Sequence, residues 1–516
     1  MQRALGQAHI GRGKLEQISG YEPSLYWKKA LHCFDLALSV LSVEAFPELR
    51  LETLQLMIRV LLAQGDNMTA QSHRKEGAKL LQTLLNQALT ALQKQQLEAK
   101  FSGFSQIEID VWLQSGESIT ALETAERYKN RCLTWILEAW KETVISPSHD
   151  IMQSLCTPDT AIIYWHLSPD SLTTFILIDG SNIPKVLPSN RTTQAQQLAI
   201  WLQDWNKDYR DYASQKLTQT ESENHPWRQN LQSRFTCLKE ISQVETICQN
   251  LPATIQNLIL IPHRDLHLLP LHTFFPDHIS CTYLPSAQIG LTLQKRSSQP
   301  PTYTPLLSIE DPATNQPPMP FAQLESAIVR HLVNPSTPIG REQATTATVL
   351  HNLQQPFATL HFTGHSAYNA RIPKASALAL VDGLLTAETI AQQDLSSYRL
   401  IILSACETAL TGNDDIRTEY VGLASAFLKA GATNVLNTLW PVDEISSCWL
   451  IVYFYQQLLQ NQSPATALHN AQQWLKSVTT KDLIQWIEQL SQDSNLGYRW
   501  QKRTPSRDSN LKGKKG

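Results

Sequence analysis

Cys406 and His365 are the two residues of this chain whose types and setting point to chemistry. Cys406 closes Leu400–Cys406, an apolar run that ends in small residues, and Glu407-Thr408-Ala409 follows it. His365 closes a run of the same shape, Ala358–His365, which also ends in a small-residue turn. If both runs are neighbouring parallel strands, their carboxyl ends lie side by side. In an open α/β sheet that edge collects ligands and catalytic groups. A thiol and an imidazole there form a candidate nucleophilic pair, with the imidazole drawing the proton from sulfur. On residue types alone, Cys406 reads equally as a small buried hydrophobe at a strand end. His361 competes as the base, but its mid-strand position suits a core histidine better.

The elements that would carry these residues alternate. Between 304 and 490, strands are expected at 304–309, 357–363, 399–404 and 432–438. Helices are expected at 320–333, 344–354, 386–393, 419–430, 445–460 and 464–477. Such alternation argues for a mostly parallel sheet flanked by helices. Residues 150–300 also carry strand-like runs. Thr160–His166 and Leu172–Ile178 flank a Ser-Pro-Asp-Ser turn and read as a hairpin. Gln194–Lys216 reads as a helix, Thr218–His225 as a loop, and Leu258–Pro262 as a buried strand.

Residues 1–145 read as almost wholly helical. Trp27, Ala30, Leu31, Phe34, Ala37 and Leu41 recur at helical spacing, as do Leu51, Leu54, Ile58, Leu61 and Leu62. Breaks at Gly20–Pro23, Phe46-Pro47, Gly65-Asp66 and Ser102-Gly103 divide the region into helical hairpins, as in a repeat array. Tyr26, Ala30, Phe34, Ala37 and Leu38 resemble the small–large alternation of a tetratricopeptide helix, but no second copy shares a 34-residue period, and an ordinary helical bundle is the alternative. The pattern is already under way at Met1, so the array is expected to lack its first cap. The basic stretch 502–516 is expected to be disordered.

Composition sets bounds on function. The 516 residues suffice for two to four domains, and 42 % are hydrophobic. A formal charge of −3 gives no general nucleic-acid surface. No apolar run reaches about 18 residues, so no membrane span is expected, and no secretory signal opens the chain. The eight cysteines are scattered without a Cys-x-x-Cys pair. This pattern fits a reducing cytoplasm and indicates neither a zinc site nor a disulfide framework. His263, His267, His272 and His278 match no metal template, and no Gly-rich phosphate loop is present. No cofactor is expected.

Four blocks resemble the CHAT domain, a caspase-like cysteine peptidase domain related to separases and gingipains and often fused to tetratricopeptide repeats. They are Leu258–Pro262 with His267–Pro270, Leu360–His365, Leu403–Thr408, and Glu419–Leu423 running through Phe427-Leu428 and Ala430–Ala432 to Leu439–Asp443. Pro464–Gln472 also fits. The resemblance implies a CHAT domain over 150–490. Residues 150–300 would be a half resembling a pseudo-protease, and 304–490 the catalytic half. It also strengthens the tetratricopeptide reading of 1–145. Two departures stand out. Ser366 follows the histidine where the family commonly has Gly, and the usual closing aromatic strand is reduced to Gly497–Trp500.

The resemblance implies Cys406 as nucleophile and His365 as its partner. Backbone amides of Cys406 and of Gly364 or Ser366 would hold the oxyanion. Asp443 and Glu444 are candidates to meet a basic substrate residue, as related peptidases prefer; alternatively Asp443 caps the helix that starts near Ile445. Glu407, read from its place beside Cys406, would orient local backbone or be a solvated turn residue. The implied activity is a cytoplasmic cysteine endopeptidase that cleaves a protein substrate, with the helical region binding a protein partner or regulator. Nucleic acid and membrane are not expected partners. The rivals are a catalytically idle scaffold and a metabolite-binding α/β protein, and the missing phosphate loop weighs against the second.

Overall fold

The computed structural model describes the chain except at residues 19–20, 89–92, 94–95, 98–99, 138–145, 169–170, 188–190, 215–218, 297–301, 368, 370–372, 407–421, 441 and 493–516. One compact unit is built on Met1–Thr292, and a second begins at Leu293.

The first unit opens with the helices Gln2–Ile18, Ser24–Leu38, Pro47–Gln64, Asn67–Gln87, Ser102–Gln114 and Ser118–Leu137. Consecutive helices pack on one another. Gly65-Asp66 shows how the sequence makes a hairpin. Gly65 takes the left-handed conformation (φ 78°) that ends one helix. The Asp66 carboxylate then accepts from Thr69 N at 3.1 Å and starts the next. The apolar positions read from the sequence form the core, with Trp27, Ala30, Phe34, Leu51, Leu54 and Ile58 all buried.

A five-stranded sheet follows in the same unit. Its strands are β1 (Thr160–Leu167), β2 (Leu172–Leu177), β3 (Lys185–Val186), β4 (Asn257–Ile261) and β5 (Ser280–Tyr283), in the order β3-β2-β1-β4-β5. The expected hairpin is the antiparallel pair β1–β2, while β4 runs parallel to both β1 and β5. Helix Ser118–Leu137 is fixed against this layer by buried polar groups. Lys129 donates to the Pro262 carbonyl at 2.6 Å, and Glu126 accepts from Gln288 N at 2.8 Å.

Thr218–His225, expected as a loop, contains the short helix Gln219–Asn224. Tertiary contact overrides its polar composition: Ser222 Oγ lies 2.8 Å from Tyr212 OH, and His225 caps the following turn at Trp227 N.

Among the described residues the second unit holds seven strands: β6 (Leu306–Glu310), β7 (Ser336–Ile339), β8 (Thr359–Ala367), β9 (Ala377–Leu380), β10 (Gly383–Thr386), β11 (Leu400–Cys406) and β12 (Val435–Leu436). Pairings β7–β6, β6–β8, β8–β11 and β11–β12 are all parallel. The β9–β10 hairpin joins antiparallel at Ser366 and Ala367 of β8. Both faces are covered. Leu307, Ile309, Leu360, Phe362, Ile401 and Leu403 face one core with Val349, Leu353 and Phe427. Leu306, Leu400 and Ile402 face the other with Val329, Phe454 and Tyr455. Burial on both faces is why these strands read as continuous apolar runs. Helix Thr480–Gln492, absent from the sequence expectation, packs Leu483, Trp486, Ile487 and Leu490 against Trp449 and Val452.

The result is a helical region followed by an α/β assembly of mixed sheets and helices. Among the described residues no helix is long and apolar enough to cross a membrane.

Candidate active site

Strand β8 carries His361, Thr363 and His365 on one face, since alternate residues of a strand point the same way. Strand β11 presents Ile402, Ser404 and Cys406 in register: Ile402 pairs with His361, Ser404 with Thr363, and Cys406 with His365. The two chemistry-bearing residues therefore stand one strand spacing apart, about 4.8 Å, at the carboxyl ends of adjacent parallel strands. The Cys406 side chain lies outside the described residues, as do Glu407 and Tyr498-Arg499-Trp500.

His365 is half-exposed, and its Nε2 lies 3.2 Å from the Pro317 carbonyl. A carbonyl only accepts, so this contact favours the tautomer with its proton on Nε2 and its lone pair on Nδ1. Pro317 belongs to loop 311–319, which joins β6 to helix Pro320–Leu332. Sequence reading missed this loop, because a main-chain carbonyl carries no residue-type signal. Just before the histidine, Gly364 has φ +152°, and a Cβ there would lie 2.9 Å from Pro312 Cδ. Glycine at 364 thus lets the same loop cross the strand closely. Ser366 next to His365 is already part of the β8–β9 pairing.

His361 is a core histidine. It is fully buried, 3.2 Å from the Glu325 carboxylate and 3.4 Å from Tyr455 OH. Burial pushes the Glu325 carboxyl above the usual carboxylate range, against the opposing pull of His361. Burial also holds the Cys448 thiol well above its ordinary value, reinforced by the charges of Glu325 and Glu444. Cys156 and Cys281 are pushed up to about 12 by the same cause. These thiols stay protonated at neutral pH and are poor nucleophiles.

The two candidate specificity carboxylates both cap helices. Asp443 Oδ1 accepts from Ser446 N and Ser446 Oγ, each at 2.8 Å, at the start of helix Glu444–Leu458. Glu444 Oε1 accepts from Phe321 N at 2.6 Å and Ala322 N at 3.1 Å, capping the helix Pro320–Leu332. Asp443 is exposed, whereas Glu444 is half-buried. The segment leading to them passes beside the end of β11, where Thr438 Oγ1 donates to the Ala405 carbonyl at 3.0 Å. Among the described residues no group of three or more His, Cys, Asp or Glu is arranged to hold a cation.

Known proteins agree with this architecture. No curated protein sequence matches the chain. The separase–securin complex of Saccharomyces cerevisiae superposes with a TM-score of 0.51 at 13 % identity, over 79 % of this chain and 36 % of that one. The chain thus spans about a third of the separase chain's length, and the likeness is one of fold. The CHAT domain family profile matches residues 236–503, just over half of the chain, and takes in β4, β8 and β11 together with Cys406 and His365. The chain belongs to the CHAT domain family.

Proposed function

We propose that this protein is a cysteine endopeptidase that uses Cys406 and His365 on a protein substrate. The observation that carries the reading is the register of β8 and β11, which pairs the two residues across one strand spacing. His365 Nδ1, left basic by the Pro317 contact, takes the Cys406 proton. The thiolate adds to the scissile carbonyl, and the C–N bond breaks as the imidazolium protonates the leaving amine. Water, deprotonated by His365, then releases the acid from the thioester and restores the thiol. The amides of Cys406 and of Gly364 or Ser366 are the proposed oxyanion donors.

Cleavage after Arg or Lys is the proposed specificity, with Asp443 as the acidic partner. Glu444 is half-buried and engaged by two amides, so the proposal rests on Asp443, whose capping carboxylate is exposed. The helical region is proposed to dock a protein partner, as the yeast separase is seen bound to securin. Free cysteines at positions 33, 156, 237, 248, 281 and 448 suit a reducing compartment such as the cytoplasm.

Site-resolved alkylation with iodoacetamide tests the pairing. Cys406 should react faster than the exposed Cys237, and His365→Ala should remove that advantage. Equal reactivity with and without His365 would leave an idle scaffold as the better reading.

A further inference from the structure

We infer that Asp311 and Arg341 form a clamp that positions His365 through loop 311–319; this deepens the peptidase reading and rests on it. The loop carries Pro312, Pro317 and Pro318 and joins no sheet ladder, yet its Pro317 carbonyl must meet the imidazole at hydrogen-bond distance. One carboxylate oxygen closes the loop at its base. Asp311 Oδ2 accepts from Met319 N at 3.1 Å, from Gln323 Nε2 at 2.9 Å and from Arg341 Nη1. The first and last residues of the loop are therefore tied to each other and to Arg341.

Two main-chain bonds complete the frame. Asp311 N donates to the Thr363 carbonyl on β8 at 2.8 Å, and Ala313 N donates to the Arg341 carbonyl at 3.0 Å. Asp311 is 1 % exposed, so the charge-assisted bonds to its carboxylate are shielded from water and hold the loop firmly. Its backbone is left-handed (φ 37°), a conformation asparagine also tolerates. Loss of the clamp would free the loop, and the carbonyl that selects the Nε2–H tautomer would move away. Asp311 and Arg341 touch no substrate in this scheme; they are positioning residues.

The test reads the imidazole directly. The full chain is labelled with ¹³C,¹⁵N-histidine, and the His365 signals are assigned by comparison with His365→Gln. In the native chain, neutral His365 should show the Nε2–H tautomer. In Asp311→Asn and Arg341→Met it should become a tautomer mixture. Cys406 alkylation should slow about tenfold in both variants, as misplacement of a catalytic partner does. Arg341→Lys, which keeps the charge, should recover part of both effects. An Nε2–H fraction and an alkylation rate both unchanged from the native chain in a folded Asp311→Asn or Arg341→Met would overturn the clamp. If Asp311→Asn does not fold, the contrast between Arg341→Met and Arg341→Lys decides the matter in the same way. An unreactive native Cys406 beside a clamp-dependent tautomer would uphold the positioning role and remove the peptidase reading instead.

Discussion

The two sheets treat the same structural address differently. In the first, Tyr164 pairs with Ile261 across the parallel strands β1 and β4, and the same offset two residues on brings His166 to His263. In the second, Cys406 pairs with His365 across β11 and β8. Both addresses are carboxyl edges of adjacent parallel strands. The first is closed: the two imidazoles stack at 4.6 Å, both are buried, and His263 Nδ1 takes the Leu167 N–H at 2.8 Å. The second holds a thiol in place of one imidazole, and its histidine is half-exposed with Nε2 turned to a carbonyl. Sheet topology supplies the address in each case. The residue type and the access of solvent decide whether it suits chemistry or packing.

The strongest way to break this contrast is to mutate both edges. Cys406→Ala and His365→Ala should each lower peptide cleavage by about 10³-fold or more, and the double variant should be little worse, because the pair acts as a unit. His166→Ala and His263→Ala should leave kcat/KM within about twofold while lowering the melting temperature, as loss of buried contacts does. A fluorogenic peptide assay beside a melting curve separates the two. Loss of cleavage in His263→Ala as severe as in His365→Ala would dissolve the distinction.

A smaller effect is expected at Asp443. Asp443→Ala removes both the cap and the charge. It should lower kcat/KM for peptides with Arg before the cut by about 2–4 kcal/mol and lower stability by about 1 kcal/mol. Asp443→Ser keeps a capping oxygen, so it should retain the stability and lose the preference. If both variants cleave Arg and Leu peptides in the native ratio, Asp443 is a cap alone. Next in size is Gly364→Ala. It places a methyl 2.9 Å from Pro312 Cδ in a backbone conformation that L-residues avoid. A loss of about 2 kcal/mol in urea unfolding is expected. A native midpoint there would mean that loop 311–319 yields easily.

How much of this was legible depends on what each residue's type reveals. The parallel strands were, because strands buried on both faces read as apolar runs bounded by turns. So was the pairing of Cys406 with His365, once the two runs were taken as neighbours. The edge strand β7 was not: Ser336, Thr337 and Pro338 have no apolar pattern, and the strand forms only because β6 offers a partner. Helix Thr480–Gln492 was legible but missed, since Leu483, Trp486, Ile487 and Leu490 follow helical spacing. The Asp311–Arg341 clamp and the Pro317 carbonyl were beyond reach. A carboxylate tied to an arginine thirty positions away, and a main-chain oxygen, leave no local signature.

The smallest effect concerns one buried carboxylate in each unit. Burial raises the carboxyls of Glu126 and Glu325 above their ordinary values. Between the ordinary and the raised pKa, the folded state binds a proton that the unfolded state has released. Stability from each group is therefore present below the ordinary carboxylate pKa and is lost as pH rises through the raised one. Glu126 accepts from Gln288 N at 2.8 Å and Asn130 Nδ2 at 3.0 Å, bonds that a glutamine oxygen can also take. Lys129 is the cation beside it, and its ammonium is already bound by the Pro262 carbonyl. Glu126→Gln should thus be neutral or stabilising by up to about 1 kcal/mol at pH 8, with the gap narrowing toward pH 5. Glu325 has His361 at 3.2 Å, so Glu325→Gln removes the acidic member of a buried pair and should destabilise at both pH values. Urea midpoints for the two variants at pH 5 and pH 8 measure this. Parallel pH responses in Glu126→Gln and Glu325→Gln would show that the buried histidine does not distinguish the two units.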